Sequence, residues 1–332
     1  MKAIQYDRFG GPEVLEYVDL PEPVPGNGEV LIETSAIGVN FPDIRERLGI
    51  YNQAATQVGG VQLPQVGGLA VTGTVTAVGP GADPGLVGRP VVAAMKKGAY
   101  AQYALARQEL TVAVDEGSDH TALAGIAGQG MTAYLALQAS TTLRSGESLL
   151  VHGAAGGVGG VAVQIGQALG AGPVIGTAST PERRQHVLAL GADAAIGYTE
   201  PGWTDQVLAL TGGRGVDVLV ETIGGDVFDQ NFDALATFGR YVLVGSTRGP
   251  GQPLAPRRLM TRAQALIGFY LPVFYDRPHL VAGALDFLAR GLRDGQLTPA
   301  VDRVLPLSEA ATAHKLLEER AVQGVIVLDP AA

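Results

Sequence analysis

The run Leu149-Leu150-Val151-His152-Gly153-Ala154-Ala155-Gly156-Gly157-Val158-Gly159, continuing through Gly160-Val161-Ala162-Val163-Gln164-Ile165 to Gly170, decides the fold. Its first four residues make a short strand of the kind a parallel sheet buries. Val161, Val163, Ile165 and Leu169 then recur at the spacings of a buried helix. Between them a glycine-dense turn lets the backbone approach a pyrophosphate. The first turn of the helix offers unpaired N–H groups and the positive end of the helix dipole. A glycine pattern is weak by itself; its place between strand and helix strengthens it. The plain alternative is a tight turn in some other α/β protein, and the rhythm downstream disfavours that.

Further strands are expected at residues 174–177, 194–197, 216–220, 240–244 and 265–269, after a first one at 148–151, with helices between them as at 181–190 and 203–211. This alternation predicts an α/β chain with a doubly wound parallel sheet and right-handed crossovers. The first third of the chain reads as mostly β. Short runs such as 30–33, 71–75 and 90–93 are separated by glycine and proline turns. One helix is predicted there at 42–48, with Asn40 as N-cap and Asp43 in its first turn. Near the end a helix at 279–293, a strand at 301–306, a helix at 309–319 and a last strand at 325–328 are expected to return to this first unit.

Composition narrows the function. With 332 residues the chain is long enough for two domains, and its 47 glycines and 20 prolines are dispersed. A net charge of −9 argues against sequence-independent binding to nucleic acid or to an anionic membrane. No segment approaches the roughly 20 apolar residues of a membrane span. The opening MKAIQYDRFG lacks the apolar core of a secretory signal, so a cytoplasmic location is expected. The absence of cysteine removes disulfides, thiolate nucleophiles and cysteine-ligated zinc. His120, His152, His186, His279 and His314 show no metal-pair spacing, and no metal site is expected.

The tip of the second sheet strand separates NAD from NADP. An NAD site usually places a carboxylate there for the ribose 2′-OH. Here the segment is Thr177-Ala178-Ser179-Thr180-Pro181-Glu182-Arg183-Arg184, with Ser179 at the tip and two arginines behind it. A 2′-phosphate suits a guanidinium and is repelled by a carboxylate, so NADPH is favoured. One of the two arginines is expected to be an ordinary exposed helix residue.

The chain resembles the zinc-independent quinone oxidoreductase branch of the medium-chain dehydrogenase/reductase superfamily, nearly end to end. Gly38-Val39-Asn40-Phe41-Pro42-Asp43, continuing to Arg47-Leu48-Gly49-Ile50-Tyr51, is similar to its GVNxxD…R-x-G-x-Y signature. Gly98-Ala99-Tyr100-Ala101-Gln102-Tyr103 resembles its GAYAEY element, and Gln129-Gly130-Met131-Thr132-Ala133-Tyr134 its QGLTAY element. Gly153 to Gly159 resembles its A-x-x-G-x-x-G loop, with Gly153 for the first alanine.

The resemblance implies a GroES-like catalytic domain over residues 1–122 and 271–332, a Rossmann NADPH-binding domain over 123–270, and an active site in the cleft between them. It also implies a homodimer paired through the last Rossmann strand, residues 265–269. Zinc-dependent relatives carry a cysteine where this chain has Asn40 and a His-Glu pair where it has Leu69-Ala70. By the same resemblance Gly153, Ala155, Gly156, Gly157, Val158 and Gly159 hold the pyrophosphate. Ser179 stands at the 2′-phosphate end, whose family contacts fall on Arg183, Tyr198 and Arg320. Gly245, Phe269 and Tyr270 map to segments that position the carboxamide, and Asn40, Tyr51 and Thr132 to the surroundings of nicotinamide and substrate. Arg45 replaces a tyrosine common in the branch, Ala70 replaces an acidic residue, and residues 52–65 match nothing specific. All three departures concern the substrate side.

The reaction implied is hydride transfer to a quinone or conjugated carbonyl. Charge growing on the acceptor oxygen needs a donor, for which Asn40, Tyr51 and Arg45 are the candidates, each typically contributing about 3 kcal/mol. Each also has a local reading. Asn40 caps a helix, Tyr51 packs as a loop aromatic, and Arg45 is a solvated helix charge. His152 and Asp43 read as structural. An enoyl-thioester or enone reductase is the alternative function, and a catalytically weak NADPH-binding protein the further one.

Overall fold

A computed structural model describes residues 1–53, 60–249, 251–319 and 321–332, without the side chains of residues 52 and 53. The chain divides into two compact units, Met1–Met131 with Leu271–Ala332, and Thr132–Tyr270.

The second unit is built on six parallel strands: β1 (Leu149–Val151), β2 (Val174–Thr177), β3 (Ala194–Ile196), β4 (Val216–Glu221), β5 (Leu235–Leu243) and β6 (Ala265–Gly268). Their spatial order is β3-β2-β1-β4-β5-β6, the doubly wound Rossmann order. Leu149, Leu150, Val151, Val218, Leu219 and Val220 are fully buried, as befits strands covered on both faces. Each such aliphatic side chain contributes roughly 1.5–3 kcal/mol by leaving water. Four helices take up the crossovers: α1 (Gly157–Ala168), α2 (Pro181–Ala189), α3 (Trp203–Leu210) and α4 (Val227–Ala234).

The expected strands and the helices at 181–190 and 203–211 are all present, with ends moved by one or two residues except in β5. That strand begins five residues earlier than its predicted start at 240 and carries a register shift beside β4. Gln264 is the reason. Its buried Nε2 donates to the carbonyls of Phe232, Leu235 and Ala236 at 3.1, 2.9 and 3.3 Å, holding the irregular stretch in the sheet.

In the first unit the ten-residue strand Glu29–Gly38 is the spine. One edge pairs with Ala70–Val78. The other pairs first with Tyr103–Arg107 and then, at Ile37 and Gly38, with the closing strand Val325–Asp329. That strand runs parallel to Val301–Pro306. The opening strand Lys2–Tyr6 lies between Glu16–Asp19 and Gln65–Val66 in a separate small sheet. Ile4, Ile32, Ile37, Val71, Val91, Leu307 and Leu328 share the core. The predicted helix at 42–48 spans Phe41–Arg47, and that at 279–293 spans Pro278–Arg293.

Two glycines test this packing in opposite directions. A Cβ on Gly159 would stand 2.3 Å from the Gly153 carbonyl oxygen, backbone that cannot yield. Gly159→Ala is expected to lower stability by ~1–3 kcal/mol, read from urea unfolding. Gly283 lies inside the helix Pro278–Arg293 with nothing within 4 Å of its Cβ position. Gly283→Ala is expected to raise stability by ~0.5–1 kcal/mol.

Candidate active site

The turn after β1 is shaped by backbone. Gly153 takes φ +64°, and a Cβ there would also meet Thr222 Oγ1 at 2.7 Å. Ala154 N donates to Thr177 O at 2.9 Å and Gly156 N to Gly153 O at 2.9 Å, so the loop folds over β2 and back on itself. Gly156 is the N-cap of α1 in extended conformation, and no side chain caps that helix. Ala155, Gly156, Gly157 and Val158 keep solvent-accessible surface, while Gly159 is buried against the loop. An uncapped helix start faced with small residues fits an anionic group such as a pyrophosphate.

The register of β2 and β3 brings the strand-tip residues together. Thr177 pairs with Ile196, so Ser179 and Tyr198, each two residues farther on, leave the sheet side by side. Thr180 caps α2, its hydroxyl accepting from Arg183 N at 3.3 Å. Arg184 pairs with Glu200 at 2.8 Å, and Arg183, also half-buried, stands one residue nearer the tip. The Tyr198 ring stands edge-on to His152 at 6.3 Å and carries the Arg248 guanidinium 5.4 Å from its centroid. Sequence reasoning missed Arg248, because no spacing relates it to Tyr198. It arrives on the loop after β5, whose residues Gly245, Thr247 and Arg248 donate backbone N–H groups to Glu221, Thr222 and Ile223. Phe269 follows β6, its N–H on Leu243 O at 3.0 Å, with Tyr270 next and half-buried. Arg320 lies outside the described residues.

Beneath these loops runs a buried polar chain. Glu221 Oε1 accepts from the backbone of Ile223 and Gly224 at 2.5 and 3.1 Å, and its Oε2 from Asn231 Nδ2 at 2.5 Å. A carboxylate only accepts, so Asn231 must turn its amide nitrogen to Glu221 and its oxygen to His152 Nε2, 2.6 Å away. His152 Nε2 therefore holds the proton, and Nδ1 accepts from Thr177 Oγ1 at 2.8 Å. The histidine is a fully buried structural link, as the sequence suggested.

In the first unit, Asn40 is 3% exposed, its Nδ2 donating to Gly38 O at 2.9 Å and its oxygen against Gly128. Its backbone N–H donates to Asp43 Oδ2 at 2.8 Å. That oxygen also accepts from the Tyr100 hydroxyl at 2.9 Å, which lies 3.0 Å from His314 Nε2. The start of the helix Phe41–Arg47 is thus fixed from three elements. Its end is fixed by the fully buried Arg47, ion-paired to Glu318. Tyr51, on the short helix Ile50–Gln53, is half-buried. Thr132 is half-buried and opens the second unit. Sequence reasoning read Asp43 as a first-turn residue and had no signal for Tyr100 or His314 as its supports. Among the described residues no group of three or more His, Asp or Glu is arranged to hold a metal ion.

Burial pushes the Asp43 carboxyl up to about 7. Burial, then the neighbouring Asp43, raises Glu46 to about 8, and burial, then Arg47, lowers His314 to about 3. For Asp43 the folded chain keeps a proton that the unfolded chain has released between about pH 4 and 7, so its contribution falls as pH rises through that window. Glu46 acts in the same sense up to about 8, whereas His314 opposes both, its contribution being lost as pH falls from 6.5 to about 3. Asp43→Asn is expected to flatten the decline in urea midpoint between pH 5 and pH 7. Tyr100→Phe should cost about 1–3 kcal/mol at either pH.

Residues 157–290 match the family described as zinc-binding dehydrogenase, and residues 26–146 match the alcohol dehydrogenase GroES-like domain. The chain is 35% identical to the quinone oxidoreductase of Sus scrofa, covering 99% of this chain and 97% of that one. It is 33% identical to a 2-haloacrylate reductase of a Burkholderia species, covering 97% of each. The structure is similar to that of the quinone oxidoreductase of Thermus thermophilus, also solved in complex with NADPH. There the TM-score is 0.83 at 35% identity, over 99% of this chain and 100% of that one. With full-length matches in both units, the chain belongs to the quinone oxidoreductase (zeta-crystallin-like) branch of the medium-chain dehydrogenase/reductase superfamily.

Proposed function

We propose that this protein is an NADPH-dependent reductase that works without a metal and delivers hydride to a quinone or conjugated carbonyl acceptor. The observation that carries the reading is the uncapped, glycine-faced start of α1 beside a strand tip with Ser179 and Arg183 and no carboxylate. Gly153, Ala155, Gly156, Gly157, Val158 and Gly159 would hold the pyrophosphate, and Ser179, Arg183, Tyr198 and Arg320 the 2′-phosphate. Arg248 adds positive charge at the same corner. Gly245, Phe269 and Tyr270 would orient the carboxamide. Bound NADPH supplies the hydride; the chain orients the partners, excludes water and donates hydrogen bonds to the acceptor oxygen. Asn40, Arg45, Tyr51 and Thr132 are the residues assigned to the acceptor end. Asn40, Leu69 and Ala70 lack the chemistry of zinc ligands, which supports the metal-free reading.

The assignment places acceptor binding in residues 1–122 and 271–332 and NADPH in 123–270. The Burkholderia relative favours a second reading, reduction of an activated C=C bond in an enone or enoyl thioester. A homodimer through β6 is supported by its place at the sheet edge and by the exposed Phe238 (74%) and Met260 (77%) near it. No described helix is long and apolar enough to cross a membrane.

Fluorescence titration is expected to show NADPH bound at least about tenfold more tightly than NADH, the worth of one or two charge-assisted hydrogen bonds. Arg183→Glu should abolish that preference and raise the KM for NADPH far more than that for the acceptor. Equal effects on the two constants would refute the 2′-phosphate assignment. Turnover of 1,4-naphthoquinone against a crotonyl thioester separates the two acceptor readings.

A further inference from the structure

The helix Phe41–Arg47 turns Asp43, Ile44 and Arg47 inward. Beside that face stand Phe41, 42% exposed, and Leu48 just past the helix end, 37% exposed. Arg45 stands between them, at i+4 from Phe41 and three residues before Leu48, so the three side chains share one stripe. Arg45 is thus a cation flanked by two partly exposed apolar groups.

Arg45 is also electrostatically unfinished. It is half-buried, and its Nε is shielded from water with no hydrogen-bond partner. Among the described residues its guanidinium donates no hydrogen bond and pairs with no carboxylate. The other described arginines of this unit either have a carboxylate, as Arg47 has Glu318 and Arg290 has Asp286, or stand in water, as Arg89 and Arg277 do. A shielded N–H left unpaired is unfavourable, and such groups in native proteins generally meet a ligand, ion or water. The two Nη groups, which are not shielded as Nε is, form a planar fork that matches the two oxygens of a carboxylate. On a chain of net charge −9 an anion is repelled on average, so its capture depends on such a local cation.

We propose that the acceptor is a conjugated carbonyl compound bearing a carboxylate, which Arg45 binds while Phe41 and Leu48 cover the carbon skeleton. Naming this ligand the acceptor rests on the reductase function proposed above; the anion site itself rests on the stripe and its unpaired cation. A neutral quinone leaves the Arg45 guanidinium without a counter-ion and gains only the apolar contacts.

The test compares acid and ester. Calorimetric binding of 4-oxopentanoate and of its methyl ester, neither of which has a reducible C=C bond, is measured with NADP⁺ present on wild type, Arg45→Gln and Arg45→Lys. Wild type is expected to bind the acid at least about tenfold more tightly than the ester, the worth of a charge-assisted pair. Arg45→Gln should bring the two within about twofold and Arg45→Lys should retain part of the difference, with thermal midpoints of both variants near wild type. Acid bound no better than ester by wild type, or both weakened alike by Arg45→Gln, overturns the proposal. Turnover of 4-oxo-2-pentenoate, its methyl ester and 1,4-naphthoquinone separates the two readings. Arg45-dependent binding of the acid with NADPH consumed by no acceptor overturns the reductase function and upholds the anion site. Reduction of naphthoquinone with no binding of the acid overturns the carboxylate and upholds the reductase.

Discussion

The Gly153 carbonyl oxygen lies where a Cβ of Gly159 would have to stand, and the second unit depends on that approach. Because α1 comes so close to the end of β1, its uncapped N–H groups lie at the loop rather than a side chain's length away. The same approach favours small residues in the loop, and backbone makes up much of its surface. The residues proposed for the nucleotide end from Ser179 to Tyr270 follow strands that pair directly or through neighbours with β1. A methyl group at position 159 therefore acts on both stability and the proposed anion cradle.

Both units place a carboxylate in their interior and use it to fix loops, with different degrees of compensation. Glu221 is satisfied by two backbone N–H groups and Asn231, so its charge is shared over short hydrogen bonds. The resulting chain through His152 and Thr177 ties the ends of β1, β2 and β4 into one layer. Asp43 is less complete. One oxygen takes two bonds and the other has no partner, which is why burial dominates and its proton is held to about 7. A buried carboxyl with a spare oxygen makes its helix sensitive to pH.

The side proposed for the acceptor is assembled differently from the side proposed for the nucleotide. Backbone amides and small residues shape the cradle after β1. The helix Phe41–Arg47 instead presents side chains, held from behind by Asp43, Tyr100 and Arg47. Such a face changes its ligand when one residue changes while its support stays intact. Arg45 is such a residue: it sets the charge at the surface while the helix's anchors, Asp43 and Arg47, lie on its buried side.

Local chemistry written along the chain was enough to settle the strand–glycine–helix order, the periodicity of the buried strands and the missing carboxylate at the tip of β2. Each depends on residues within one turn or one strand of each other, so their types and spacing carry the information. The ordered motifs from Gly38 to Tyr134 extended this to the family. What tertiary structure alone decided involves partners far apart in sequence. Arg248 reaches Tyr198 from a loop fifty residues on, Tyr100 and His314 meet Asp43, and Gln264 holds the irregular start of β5. The unpaired state of Arg45 belongs to the same class. Whether a cation has a counter-ion depends on what the fold brings near it, and no pattern along the chain encodes that.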